Sequence, residues 1–147
     1  MQFLDETNRK ALEEKFNEEV LNEITITLFT EPDLKGLVVP GRGCETCVPT
    51  QELLEEVPNL SSKITLETVD YRKNEHDDVT LIPTIIVSGD GETNVKYLGI
   101  PVGTEFPVLI DMIVNVSKGF FNLSEATKNY LNTFGDDLFL KVFVTPN

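Results

Sequence analysis

The chain carries two cysteines, Cys44 and Cys47, with two residues between them. Thiols at that spacing can close a small disulfide, share a metal, or divide the work of disulfide exchange, one attacking and the other resolving. The pair follows a Gly-Arg-Gly turn and precedes a helical pattern, which puts it at a strand-to-helix junction. There the unsatisfied backbone N–H groups and the positive end of the helix dipole favour a thiolate. Cys44 is therefore the expected nucleophile, and Cys47, one turn later on the same side, the thiol that displaces a mixed disulfide. Arg42 would lower the Cys44 pKa further, and Glu45 would oppose it.

A structural staple is the weaker reading, because a bridge over two intervening residues constrains little of the unfolded chain. A closed zinc site takes four ligands, and this chain offers one cysteine pair and one histidine, His76, so such a site would need a second chain. Neither a metal nor a cofactor is expected. His76 lies in an acidic polar run and reads as solvated.

The elements that must hold the pair can be read from periodicity. Length, 147 residues, suits one full domain and an appendage. Apolar content of 40% and charged content of 25% place the chain among soluble globular proteins. Net charge is −13, with 12 basic against 25 acidic residues, which excludes the basic footprint of a nucleic-acid binder. No apolar run has the length of a signal peptide core or a membrane span, so a cytoplasmic protein with no membrane partner is expected. In a reducing cytosol, paired cysteines point to catalysis or metal binding rather than to a staple.

Residues 5–21 predict an amphipathic helix with Leu12, Phe16 and Val20 on one face and Asp5 as its cap. Residues 24–30 alternate in period two and are rich in β-branched side chains, the pattern of a strand. Residues 31–43, with two prolines and three glycines, predict a loop in which Leu37, Val38 and Val39 form an apolar patch. Residues 47–57 return to helical spacing, although Pro49 falls where an interior proline would kink the helix or delay its start to about Val48. Strands are expected at 64–69, 84–87 and 95–98, the last two joined as a hairpin, then a helix at 106–116. The strand-helix-strand segment predicts a parallel pair in a mixed sheet flanked by helices, an α/β fold.

Leu81-Ile82-Pro83-Thr84 completes the pattern. An apolar residue, proline and threonine at the start of a strand resembles the cis-proline loop of the thioredoxin fold. That resemblance implies that the loop lies beside the cysteine pair and that Ile82, Pro83 and Thr84 form a substrate-binding edge, with the Ile82 backbone offered to the substrate chain. "GCETC" followed by "ELLEE", then "VKYLGIPVGTEF" before "LIDMIVNVSKG", resembles the N-terminal unit of the two-unit, glutaredoxin/thioredoxin-like protein disulfide oxidoreductases of thermophilic archaea and bacteria. The resemblance covers about residues 5–119.

The chain also resembles itself. Leu4-Asp5-Glu6 opens the first helix and Leu123-Ser124-Glu125 a later one, while "ITITLFTEP" at 24–32 matches "LFLKVFVTP" at 138–146. Residues 1–119 are thus expected to form a thioredoxin-like redox unit, and residues 120–147 to be the helix and strand that begin a second one, the chain ending early in that unit. An apolar strand at 138–144 without its sheet needs shielding, either by docking onto residues 1–119 or, the expected outcome, by a homodimer through residues 120–147.

Two functions follow. The first is an enzyme that exchanges disulfides in proteins through Cys44 and Cys47, with protein disulfides as substrates and a thioredoxin-reductase-like protein as electron donor. The second is a redox-linked binding module whose turnover depends on a second unit.

Overall fold

The structure is a computed structural model and describes residues 3–32, 43–73, 79–89, 94–119, 122–136 and 139–144. In chain order its elements are α1 (Glu6–Glu19), β1 (Ile24–Thr30), α2 (Cys47–Glu55), β2 (Ile64–Asp70), β3 (Thr84–Ser88), β4 (Asn94–Leu98), α3 (Phe106–Lys118) and α4 (Glu125–Asn132).

Helix α1 starts where its sequence provides a cap. The Asp5 carboxylate accepts from the Asn8 N–H at 2.8 Å, satisfying one of the orphan donors of the first turn. The helix closes with the Val20 N–H donating to the Phe16 carbonyl, two residues earlier than the periodicity predicts. Phe16 and Val20 are buried, and Leu12 packs against the same core. Burial of a side chain such as Phe16 stabilises the fold by about 1.5–3 kcal/mol.

Strands β1 to β4 form one mixed sheet in the order β2-β1-β3-β4. Strand β1 pairs in parallel with β2, Ile24 opposite Ile64 and Thr30 opposite Asp70, and antiparallel with β3, Phe29 opposite Thr84. The β3–β4 hairpin sets Ser88 opposite Asn94. The parallel pair joined through α2 and the hairpin are those that periodicity predicts, because a parallel connection needs a crossover and an antiparallel one needs only a turn. Ile24, Ile26 and Leu28 of β1 lie in the core with Ile85 and Val87 of β3, and Leu54, Val57, Leu109 and Ile113 close it from outside the sheet. Early β1 residues alternate between buried and half-buried, but Leu28, Phe29 and Thr30 are all buried. The end of β1 that leads to the cysteines is therefore covered on both faces.

The junction between α1 and β1 is held by a hydroxyl. The buried Ser117 Oγ of α3 accepts from the Leu21 N–H at 2.7 Å and the Asn22 N–H at 3.0 Å, while Asn22 Nδ2 donates to the Ser117 carbonyl at 2.8 Å. Each of these polar groups would otherwise be partly desolvated without a partner. Helix α3 ends on Gly119, whose φ of 59° is left-handed and suits the only residue type that adopts it without a Cβ penalty.

One pair of alternatives is decided and one expectation changes. Helix α2 begins at Cys47, within one residue of the delayed start at about Val48 that is the alternative to a kink, so Pro49 sits in its first turn, where the missing N–H would have had no intrahelical partner. Residues 139–144 form no strand and make no ladder; Phe139, Val142 and Phe143 are 81%, 85% and 90% exposed. The physical reason is that an extended segment becomes a strand only when another strand receives its backbone hydrogen bonds, and none among the described residues does. Leu138, also assigned to that strand, lies outside the described residues, as do Leu37, Val38, Val39, Arg42 and His76.

Candidate active site

The site stands where β1 runs out. Beyond Thr30 the chain reaches Glu31, and after the intervening segment it returns at Gly43 and Cys44, with Thr46 and Cys47 opening α2. Cys44 and Cys47 are joined in a disulfide, their Cα atoms 5.3 Å apart. The Cys47 N–H donates to the Cys44 carbonyl at 3.3 Å, which closes a tight turn through Glu45 and Thr46.

The two sulfurs occupy different surroundings. Cys47 is 1% exposed and belongs to the packed side of α2, together with Thr50, Leu53 and Leu54. Cys44 is half-buried, and Glu45 beside it is exposed. An incoming thiolate or disulfide therefore has access to Cys44 and little to Cys47, which is the asymmetry exchange through a mixed disulfide requires. The helix starts at the second cysteine rather than the first, so Cys44 lies just ahead of the N-cap Thr46 instead of inside the first turn. Thr46 makes no side-chain cap bond, and its hydroxyl lies 3.8 Å from Cys44 Sγ.

The 81–84 loop reaches the same end of the sheet. Thr84 opens β3 opposite Phe29, two residues before Glu31, and the Ile82–Pro83 peptide is cis. The loop is pinned from both sides: Thr84 Oγ1 donates to the Leu81 carbonyl at 2.7 Å, and the Gly99 N–H donates to the Pro83 carbonyl at 2.9 Å. Pro83 and Thr84 are buried, Ile82 is half-buried and Leu81 is 63% exposed. The Ile82 backbone makes no hydrogen bond with another described residue.

Glu31, which its sequence places only in a loop, belongs to the site. The Glu31 carboxylate accepts from the Cys44 N–H at 3.4 Å, joining the end of β1 to the first cysteine across thirteen residues. The available signal was an acid directly after the strand that leads to the cysteines. Its partner could not be read, because the contact joins residues thirteen positions apart.

A mixed sheet with flanking helices, closed at one end by a Cys-x-x-Cys disulfide and a proline loop, defines a thioredoxin-like redox fold. Solved structures agree. A protein disulfide oxidoreductase from Aeropyrum pernix superposes with a TM-score of 0.69 at 28% identity, covering 90% of this chain and 56% of its own. The alkylhydroperoxide reductase AhpF from Enterococcus faecalis gives 0.70 at 22% identity, covering 90% and 61%, and a separate structure of its N-terminal domain gives 0.66 at 21%, covering 86% and 59%. The chain thus spans about three fifths of the length of each of these proteins. No protein-family model and no curated protein matches it.

Proposed function

We propose that this chain is a thiol-disulfide oxidoreductase that acts on protein disulfides, and that it corresponds to the N-terminal unit of a two-unit protein disulfide oxidoreductase of thermophile type. The observation that carries the reading is the accessible Cys44 bonded to the buried Cys47 at the covered end of β1. In the reduced protein, the Cys44 thiolate attacks one sulfur of a substrate disulfide and forms a mixed disulfide while the other substrate sulfur leaves as a thiolate. Cys47 then attacks Cys44, releasing the second substrate thiolate and restoring the Cys44–Cys47 bond. Two electrons pass from the protein dithiol to the substrate, and a thioredoxin-reductase-like donor in the cytoplasm renews the dithiol.

Ile82, Pro83 and Thr84 form the substrate edge. The uncommitted Ile82 backbone beside an exposed Leu81 can pair with an extended segment, main-chain hydrogen bonds giving affinity and the apolar side chain contact. Reduction of insulin by dithiothreitol tests the function. Turnover above the uncatalysed rate is expected from the 147-residue chain, and a rate equal to background would sink this reading.

A second reading is favoured by the C-terminal segment. The Ser124 hydroxyl caps α4 by accepting from the Thr127 N–H at 3.1 Å, the same three-residue reach by which Asp5 caps α1. We infer that residues 120–147 belong to a second unit of the same kind, and that the exposed Tyr130, Phe134, Phe139 and Phe143 pair two copies of the chain. In this reading the first unit docks the partner and turnover depends on the second, so insulin reduction by these residues alone would be almost nil.

A further inference from the structure

We infer that Glu31 is a positioning residue that holds the Cys44–Cys47 pair toward the reducing side of its redox range. The inference rests on the proposed exchange chemistry of that pair. The backbone donors around the first cysteine are already engaged. A thiolate just ahead of a helix is stabilised by N–H groups that point at it. Here the Cys44 N–H is taken by the Glu31 carboxylate at 3.4 Å and the Cys47 N–H by the Cys44 carbonyl at 3.3 Å. The donor closest in sequence to the sulfur thus serves a fixed anion instead.

The anion also acts through space. When the disulfide opens, a negative charge appears on Cys44, the residue whose N–H the Glu31 carboxylate accepts at 3.4 Å, and neighbouring like charges disfavour the ionised form. Next to Cys44 in the chain stand the exposed Glu45, also acidic, and Thr46, whose neutral hydroxyl lies 3.8 Å from the sulfur, while Cys47 is bonded to it. None of these offsets Glu31. A destabilised thiolate means a less stable reduced protein, and so a lower potential.

Glu31 is half-buried and sits at the covered end of β1, so its carboxylate is screened less than a fully solvated one. Its hydrogen bond to the Cys44 amide also joins the end of the strand to the cysteine turn, which keeps the charge near Cys44.

The experiment is redox equilibration of the 147-residue chain with glutathione, protein disulfide plus two glutathione thiols giving protein dithiol plus glutathione disulfide. Measurement is made at a pH where reduced Cys44 is ionised. Glu31→Gln keeps an oxygen to accept the Cys44 N–H and removes the charge. It should raise the equilibrium constant for reduction about tenfold, which is about 30 mV for a two-electron couple. The absorbance of the Cys44 thiolate should appear at lower pH than in the wild type. Glu14→Gln, which removes an equal charge from an exposed position on α1, should leave the constant unchanged. An unshifted or lowered constant in Glu31→Gln, or an equal shift in Glu14→Gln, would overturn the inference while leaving the exchange activity standing. A wild-type disulfide that resists every glutathione ratio would instead remove the exchange reading, and this inference with it.

Discussion

Cys44 and Cys47 share one disulfide but not one environment: Cys47 is 1% exposed, whereas Cys44 is half-buried at the mouth of the turn that precedes α2. A bond between an accessible sulfur and a shielded one can be opened from one side only. In the exchange we propose, the order of events is thereby set by packing.

After reduction, limited iodoacetamide should therefore label Cys44 well before Cys47, as peptide mapping reads directly. Cys44→Ser should lower insulin reduction by at least about a thousandfold, since the attacking group is gone. Cys47→Ser should keep the attack and accumulate a mixed disulfide, visible as a mass increase equal to the bound substrate. Preferential labelling of Cys47 would reverse the assignment.

Glu56 ties the start of the chain to the end of α2. Its carboxylate accepts from the Phe3 N–H at 2.6 Å and the Leu4 N–H at 3.3 Å, and pairs with Arg9 Nη2 at 3.1 Å. With the side chains only 25% and 13% exposed, this pair is less screened than a surface one. Glu56→Ala should cost about 2 kcal/mol of unfolding free energy in urea titrations, because two backbone donors and a guanidinium lose their partner together.

Glu19 gives an acid-side pH dependence. Its hydrogen bonds with Lys118 and then Lys15 hold its carboxyl below the ordinary value of 4.5. Because the folded value is the lower one, its contribution is present in full above the unfolded value and is lost as pH falls through the folded value. The Tm difference between wild type and Glu19→Gln should therefore be small but constant at neutral pH and should fade below pH 4.5. A difference that grows on acidification would contradict the assignment. Lys15, raised first by its bond to Glu19, belongs to the same cluster and to Asp111, 3.3 Å away.

The exposed C-terminal segment sets the association state we propose. Phe139, Val142 and Phe143 leave large apolar area in water, and pairing two copies is the direct way to remove it. Light scattering should give a dimer for the 147-residue chain and a monomer for residues 1–119. Equal monomer masses would show that these residues do not associate.

Much of this molecule is legible in its sequence because the signals are local. The 3.6-residue spacing of Leu12, Phe16 and Val20, the period-two run of β1 and the Asp5 cap each depend on neighbours within a few residues, so α1, β1 and the hairpin follow from pattern alone. The Cys-x-x-Cys spacing is equally local and points to the chemistry, while the Leu81–Thr84 tetrapeptide is read through its resemblance to the cis-proline loop. Other properties need distance in sequence and closeness in space. That Cys47 is sealed while Cys44 is open depends on packing of α2 over β1. That Glu31 spends its carboxylate on the Cys44 amide, Glu56 on residues 3, 4 and 9, and Ser117 on residues 21 and 22 depends on contacts across thirteen to ninety-six positions. Period cannot carry such information, since a polar side chain at any one position has many possible partners and only the folded backbone selects among them. The segment at 139–144 shows the converse: its composition is that of a strand, but a strand is a relationship between two segments, and the described residues supply only one of them.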